Sequence, residues 1–269
     1  LMTKPSDDQT LDAACQPYDK AGRWKLEMKV TDIGGIGSLR YGHTGVYLTA
    51  PDGRSVVQFH GYNKDPLTGA AKPGESKGDL LALAAVPGSW TYFEESKSAG
   101  SRVLAEGNYE EMKPKLKVLF AASQALDAES LEYKGWGLWA PGQNCNTAAR
   151  MVTRLLGQDT DPQKISDVIL TGSERSIPLS RLDTITNSAS GVDVSKLEQA
   201  LLDMARDTSK SVVLPDLDQL VAQPLAAQCH SAKREIGAVA YNTDGTQTPT
   251  TIKIGVSHQL RQPPDYKPQ

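Results

Sequence analysis

Apolar and polar residues alternate in several segments of the first third of the chain, the pattern of strands with one buried face. The alternation is clearest over 24–31 and recurs over 40–50 and 55–60. A Pro51–Arg54 turn joins the last two segments, so they predict a β-hairpin. The Gly-rich segment 34–37 lacks the Gly-Lys-Ser/Thr ending of a phosphate-binding loop, and we expect a flexible connection there.

Helical spacing of apolar residues is strongest over 142–157. Asn144 is a suitable N-cap for this helix, and Gly157 is a suitable stop. Further helices are predicted after the capping box at Asn108, after a capping box at Ser195, and over 216–227. Further strands are predicted over 90–95, 101–106, 236–241 and 250–256. The segment 79–86 is apolar without a clear period, and 61–79 is Gly- and Pro-rich, which is typical of a surface loop.

These elements predict an α+β architecture in which an antiparallel sheet packs against a helix that carries a cysteine. We predict three parts along the 269 residues. Residues 1–22 form an irregular N-terminal segment, residues 23–160 form the core, and residues 161–269 form a C-terminal extension or subdomain.

Cys145 lies in the first turn of the 142–157 helix and on its apolar stripe, so the thiol should face the body of the protein. The N-terminal end of a helix carries a partial positive charge, which favours a thiolate. A lone cysteine on an apolar helix face is more often a small buried hydrophobe. Catalysis therefore needs a base close to Cys145.

Two histidines are the candidates for that base and its partner. His43 begins one strand of the predicted hairpin and His60 ends the other, so an antiparallel turn brings the two rings together if they share a face. Gln58 has the same strand parity as His60 and could orient the His43 ring instead. Tyr41 and Tyr47 are further candidate contacts, although strand tyrosines more often belong to the core.

The motif His43-Thr-Gly-Val-Tyr-Leu, followed by a turn and a strand that ends in His60, resembles the histidine strands of the NlpC-type papain-like cysteine peptidases. In this chain the histidines precede the cysteine helix, and Asn144-Cys145 opens that helix. This order resembles the circularly permuted branch, which includes the lecithin:retinol acyltransferase-like proteins. The resemblance covers roughly residues 41–157 and implies a permuted papain-like core.

The resemblance also implies roles: Cys145 as nucleophile, His43 as general base and His60 as the orienting residue. The oxyanion would bind the Cys145 backbone N–H and one further donor, for which Gln143 and Asn144 are candidates. Trp136 and Trp139, in the segment before the cysteine helix, could line a substrate groove or pack around the hairpin.

Three functions follow as hypotheses. The first is a peptidase or amidase that cleaves peptidoglycan stem peptides, in wall remodelling or as a secreted antibacterial effector toxin. Such a toxin would have an immunity protein or a secretion apparatus as its partner. The second is a lipid-acyl hydrolase or acyltransferase, such as a phospholipase or thioesterase. The third is a non-catalytic binding module.

Composition limits the partners and cofactors that the sequence favours. A net charge of −3 gives no basic field for nucleic acid, and no apolar run has the length of a membrane span. The cysteines and histidines form no metal-binding motif, and the proposed chemistry needs no cofactor.

Cys15 and Cys229 could pair, but without a visible signal peptide we expect free thiols. The chain opens on Leu1-Met2, which suggests a trimmed fragment, and a secreted or periplasmic site of action suits the first hypothesis.

Overall fold

A six-stranded antiparallel sheet is the centre of the computed structural model. The structure describes residues 13–68, 71–72, 77–86, 98–134, 143–173, 193–222, 224–225, 229 and 235–253. The strands of this sheet are β1 Trp24–Ile36, β2 Leu39–Thr49, β3 Ser55–Lys64, β4 Lys77–Ala85, β5 Ser98–Gly107 and β6 Glu132–Lys134. They lie in the order β5-β1-β2-β3-β4-β6, so the predicted His43–His60 hairpin forms the middle of the sheet. The predicted α+β class is confirmed at this level.

Two of the helices in the described part of the chain pack against this sheet, and a second sheet follows in the chain. The helices are α1 Tyr109–Ala128, α2 Cys145–Leu155, α3 Val194–Thr208 and α4 Leu217–Ala222. The second sheet contains β7 Val212–Pro215, β8 Glu235–Tyr241 and β9 Gln247–Lys253, paired antiparallel in that order. α1 packs against β4 and also contacts α3 and β7. One hydrophobic core therefore runs from the large sheet into the C-terminal part.

Alternation of side chains explains the core face of the large sheet. Leu26, Met28 and Val30 of β1 are fully buried, as are Val46 and Leu48 of β2. Successive side chains of a strand point to opposite faces, so these residues project together toward the helices. The long helix α1 begins at the predicted capping box and contains Pro114 without ending there.

Three strands, β1, β3 and β5, are longer than the sequence pattern predicts. The predicted flexible connection at 34–37 is wrong over its first three residues, because β1 continues through Ile36. Gly34 has φ +93° beside a register shift at Asp32, which accommodates an irregular strand rather than a loop. The loop predicted over 61–79 is wrong at both ends, because β3 runs to Lys64 and β4 begins at Lys77.

Two further expectations differ from the structure. The N-cap of α3 is Asp193, whose carboxylate accepts from the Ser195 and Lys196 backbone N–H groups, so the capping box predicted at Ser195 is wrong. Cys15 and Cys229 form a disulfide across a sequence separation of 214, so the expectation of free thiols is wrong for this pair. Cys145 is the free cysteine.

Some predictions fall outside the described residues, namely the 90–95 strand and the Trp136 and Trp139 contacts. The division of the chain at residues 22 and 160 stays a prediction. Among the described helices, none combines the length and apolar character needed to cross a membrane.

Candidate active site

The start of α2 is held in place by a set of side-chain caps. Asn144 Oδ1 accepts hydrogen bonds from the backbone N–H groups of Asn146 at 3.0 Å and Thr147 at 3.2 Å. Asn144 Nδ2 donates to the Thr171 carbonyl at 2.6 Å, and Thr147 Oγ1 donates to the Gly172 carbonyl at 3.0 Å. The 171–172 segment therefore anchors the helix end on which Cys145 is the first residue.

The imidazoles of His43 and His60 meet as the hairpin predicts. His43 Nε2 lies 3.0 Å from His60 Nδ1, and His60 Nε2 lies 2.8 Å from Gln58 Oε1. Gln58 thus contacts His60, which differs from the alternative that it orients the His43 ring directly. The His60 ring lies over Gly45, where an added Cβ would stand 2.4 Å from His60 Nδ1. The absence of a side chain at Gly45 is what lets the rings approach.

Aromatic rings enclose this pair. Tyr62 stacks on His43 with ring centroids 5.1 Å apart, and Tyr47 meets the His60 ring edge-on at 5.5 Å. Only 5% of His43 and 4% of His60 is exposed. Burial lowers the pKa of His43 to about 3. Burial is also the main reason why the pKa of His60 lies well below its usual range, and electrostatic repulsion by the neighbouring His43 lowers it further. Both rings are therefore neutral at physiological pH.

β2 and β3 separate at the site. Their pairing runs through Val46↔Phe59 to Gly45↔His60 and ends there, although each strand continues beyond. Further along β2, Ile169 takes the place of β3: Gly42 N–H donates to its carbonyl, and its N–H donates to the Arg40 carbonyl. Between these two partners, the backbone N–H of Thr44 hydrogen-bonds the sulfur of Cys145. The thiol thus occupies the gap between the separated strands.

The thiol and the imidazoles reach this gap from different faces of the sheet. Thr44 Oγ1 donates to Asn146 Oδ1 of α2 at 2.7 Å, and a Cβ on Gly61 would lie 3.1 Å from the Cys145 Cα. α2 therefore lies on the face to which Thr44 and Gly61 point. His43 and His60 are their neighbours in β2 and β3, so the two rings project from the opposite face.

The thiol is protonated in this structure. Cys145 Sγ donates to Asn146 Oδ1 at 3.6 Å, and only 7% of Cys145 is exposed. Burial raises the pKa of Cys145 to about 11, although backbone hydrogen bonds from Thr44, Asn146 and Cys145 itself act in the lowering direction. The expectation that the helix N-terminus favours a thiolate is therefore wrong for this state, because desolvation outweighs it.

The other residues predicted to support the site are less favourably placed to act on a substrate. Asn144 has its amide engaged at both ends by the cap and the Thr171 carbonyl, so it is not free to bind an oxyanion. Gln143 pairs through its backbone with Glu132 and Lys134, and its buried Oε1 has no partner among the described residues. The Tyr41 backbone forms a β-bridge with Ile169.

Three residues of the site were not predicted from the sequence: Thr44, Asn146 and Tyr62. Tyr62 shares the parity of Gln58 and His60 and could have been found once β3 was extended by two residues. Asn146 and Thr44 have no local signal, because their hydrogen bond joins residues that lie 102 positions apart.

Among the described residues, no cluster of His, Cys, Asp and Glu side chains is suited to hold a metal ion. No protein-family model, curated protein or solved structure matches the chain. The class that the structure supports is thus an α+β protein with an antiparallel sheet, and its function has to be argued from the site.

Proposed function

We propose that this protein is a cysteine hydrolase with a permuted papain-like core, which cleaves an amide bond through a thioacyl-enzyme. The observation that carries the proposal is that the Cys145 sulfur, at the start of a capped helix, hydrogen-bonds the backbone N–H of Thr44, the residue next to His43 in the buried His43–His60–Gln58 chain. Three polar side chains hydrogen-bonded in series inside a core are costly to desolvate, so packing alone gives little reason for them.

The chemistry starts from a neutral pair. A pKa of about 11 for Cys145 and about 3 for His43 disfavours a preformed thiolate–imidazolium pair. At about 1.4 kcal/mol per unit, that difference corresponds to on the order of 10 kcal/mol. Proton transfer from Sγ to His43 therefore accompanies attack of sulfur on the carbonyl carbon. The imidazolium then protonates the leaving amine, and water hydrolyses the thioester.

Transition-state charge falls on the carbonyl oxygen. The backbone N–H of Cys145 stands at the positive end of α2, which is suited to bind an oxyanion. Gln143 is the candidate for the second donor, because the Asn144 amide is held by the cap. The hydrogen bond between His60 Nδ1 and His43 Nε2 keeps the His43 ring in the orientation that proton transfer needs.

Peptidoglycan stem peptide is the substrate class we propose. The Cys15–Cys229 disulfide suits an oxidising compartment, where a wall-directed hydrolase acts. A secreted or periplasmic site of action, and a role in wall remodelling or as an antibacterial effector toxin, follow from this substrate. An immunity or secretion protein would then be the natural partner. A lipid-acyl substrate is the alternative for the same nucleophile.

A binding module is a second candidate, favoured by one observation. The Cys145 thiol donates its hydrogen bond to Asn146 Oδ1 rather than to an imidazole, and burial raises the pKa of the thiol. An inert, structural cysteine has these properties.

Mass spectrometry distinguishes these functions. Wild type and Cys145→Ala are incubated separately with purified sacculi and with phospholipid vesicles. Release of muropeptides by wild type alone supports the amidase, and release of fatty acid by wild type alone supports the lipid-acyl enzyme. Absence of products from both substrates, with wild type and Cys145→Ala equally folded by circular dichroism, would favour the binding module.

A further inference from the structure

Gln58 stands at one end of a hydrogen-bonded series that runs to His43. The series is Gln58 Oε1 to His60 Nε2 at 2.8 Å, then His60 Nδ1 to His43 Nε2 at 3.0 Å. An amide oxygen only accepts, so His60 Nε2 must carry a proton. A neutral imidazole has one N–H, and therefore His60 Nδ1 is an acceptor. His43 Nε2 then has to donate, which leaves His43 Nδ1 with the lone pair.

We propose that Gln58 is a positioning residue that sets the tautomer of both imidazoles and so makes His43 Nδ1 the basic nitrogen. The tautomer assignment depends only on the hydrogen-bond series. The role of Nδ1 as acceptor of the Cys145 proton rests, in addition, on the function proposed above.

Burial makes this control effective. Gln58 is fully buried and both rings are at least 95% buried, so water cannot supply substitute donors or acceptors. Burial also holds both rings neutral, which keeps each of them to a single N–H. Gly45 beneath His60, with Tyr47 at its edge, leaves the ring little room to turn over. The opposite tautomers would require the Gln58 amide to present its N–H groups to His60.

Nitrogen-15 NMR tests the tautomers without reference to activity. The protein is labelled on histidine in a His230→Gln/His258→Gln background, which leaves signals from His43 and His60 alone. Long-range ¹H–¹⁵N spectra at pH 7.5 are expected to show a proton on Nε2 and none on Nδ1 for both rings. A proton on Nδ1 of either ring would overturn the inference.

Two substitutions isolate the role of Gln58. Gln58→Glu keeps an acceptor, so Nε2 of His60 is expected to remain protonated. In Gln58→Met the side chain is close to glutamine in volume, but its thioether is only a weak hydrogen-bond acceptor. At least one ring is therefore expected to show the Nδ1–H tautomer. Unchanged tautomers in Gln58→Met, in a protein that melts cooperatively, would show that Gln58 does not set them.

Alkylation connects the tautomer to the thiol. Cys145 is the one cysteine outside the disulfide, so uptake of iodoacetamide by the native protein reports on it alone. Gln58→Met is expected to react about 10-fold more slowly than wild type at pH 7.5, the lower end of the effect seen when the partner that fixes the tautomer of a metal-binding histidine is removed. If wild type reacts no faster than His43→Ala while both rings carry Nε2–H, the tautomer inference stands and the proposed function fails.

Discussion

Replacing Gly45 with alanine tests whether the approach of the two imidazoles depends on the missing side chain. The alanine Cβ would stand 2.4 Å from both Cε1 and Nδ1 of His60, and 2.9 Å from Cε1 of Tyr47. These distances are far below van der Waals contact, so the His60 ring has to move. Movement of the ring breaks its 3.0 Å hydrogen bond to His43.

The expected change in the free energy of unfolding is the sum of two destabilising effects less one stabilising effect. Overpacking in a filled core costs about 2 kcal/mol. A buried imidazole nitrogen left without its partner costs about 2 kcal/mol more. Replacing glycine in a strand recovers up to about 1 kcal/mol through the unfolded chain. Gly45→Ala should therefore lower the free energy of unfolding by about 3 kcal/mol, which corresponds to about 6–12 °C in melting temperature for a chain of this size.

A double-mutant cycle with His60→Ala makes the test specific. Urea unfolding is measured for wild type, Gly45→Ala, His60→Ala and the double variant. With the ring absent, Gly45→Ala should cost less than about 1 kcal/mol, so the coupling between the two sites should be about 2 kcal/mol or more. Equal costs of Gly45→Ala with and without His60 would refute the argument that the ring is what occupies that space.

The remaining predictions concern titration, the helix cap and the disulfide. The His43 pKa lies below its unfolded value of 6.5, so the unfolded chain takes up a proton that the folded chain does not. The free energy of unfolding should therefore fall by about 1.4 kcal/mol per pH unit between about pH 6 and pH 3, and chemical unfolding should show a shallower dependence in His43→Asn. Asn144→Ala removes two capped N–H groups and the bond to Thr171, and it should cost about 2 kcal/mol in urea unfolding. Asn108→Ala, at the exposed cap of α1, is the matched control and should cost about 1 kcal/mol, so an equal loss would argue against a special role for the 171–172 anchor. Cys15→Ser/Cys229→Ser opens a loop with a sequence separation of 214 and should lower the stability by up to about 5 kcal/mol. Calorimetry measures that loss, and a melting temperature equal to that of wild type would contradict it.

Local signals determined the elements near the site. The β2–β3 hairpin follows from alternation and a Pro-Asp-Gly turn, which depend on neighbouring residues only. Strand parity placed Gln58 and His60 on the same face, and the hairpin brought His43 to them as predicted. The Asn144 cap and the start of α2 at Cys145 were likewise predicted correctly, since capping involves residues within one helical turn.

Contacts between segments far apart in the sequence determined the position of α2 and the gap beside β2. Which face of the sheet α2 covers depends on Gly61 and Thr44 meeting residues 145–148, about 85 to 100 positions away in the chain. The gap that receives the thiol exists because Ile169 replaces β3 beside β2.

The protonation states and the disulfide also depended on tertiary structure. Helix position alone predicted an activated thiolate at Cys145, yet burial by surrounding elements raised its pKa to about 11. Pairing of Cys15 with Cys229 required the two ends of the chain to meet. The sequence by itself thus determined the residues and local geometry available for chemistry. Only the tertiary structure decided their solvation and their relative faces, because desolvation and long-range packing have no local sequence signal.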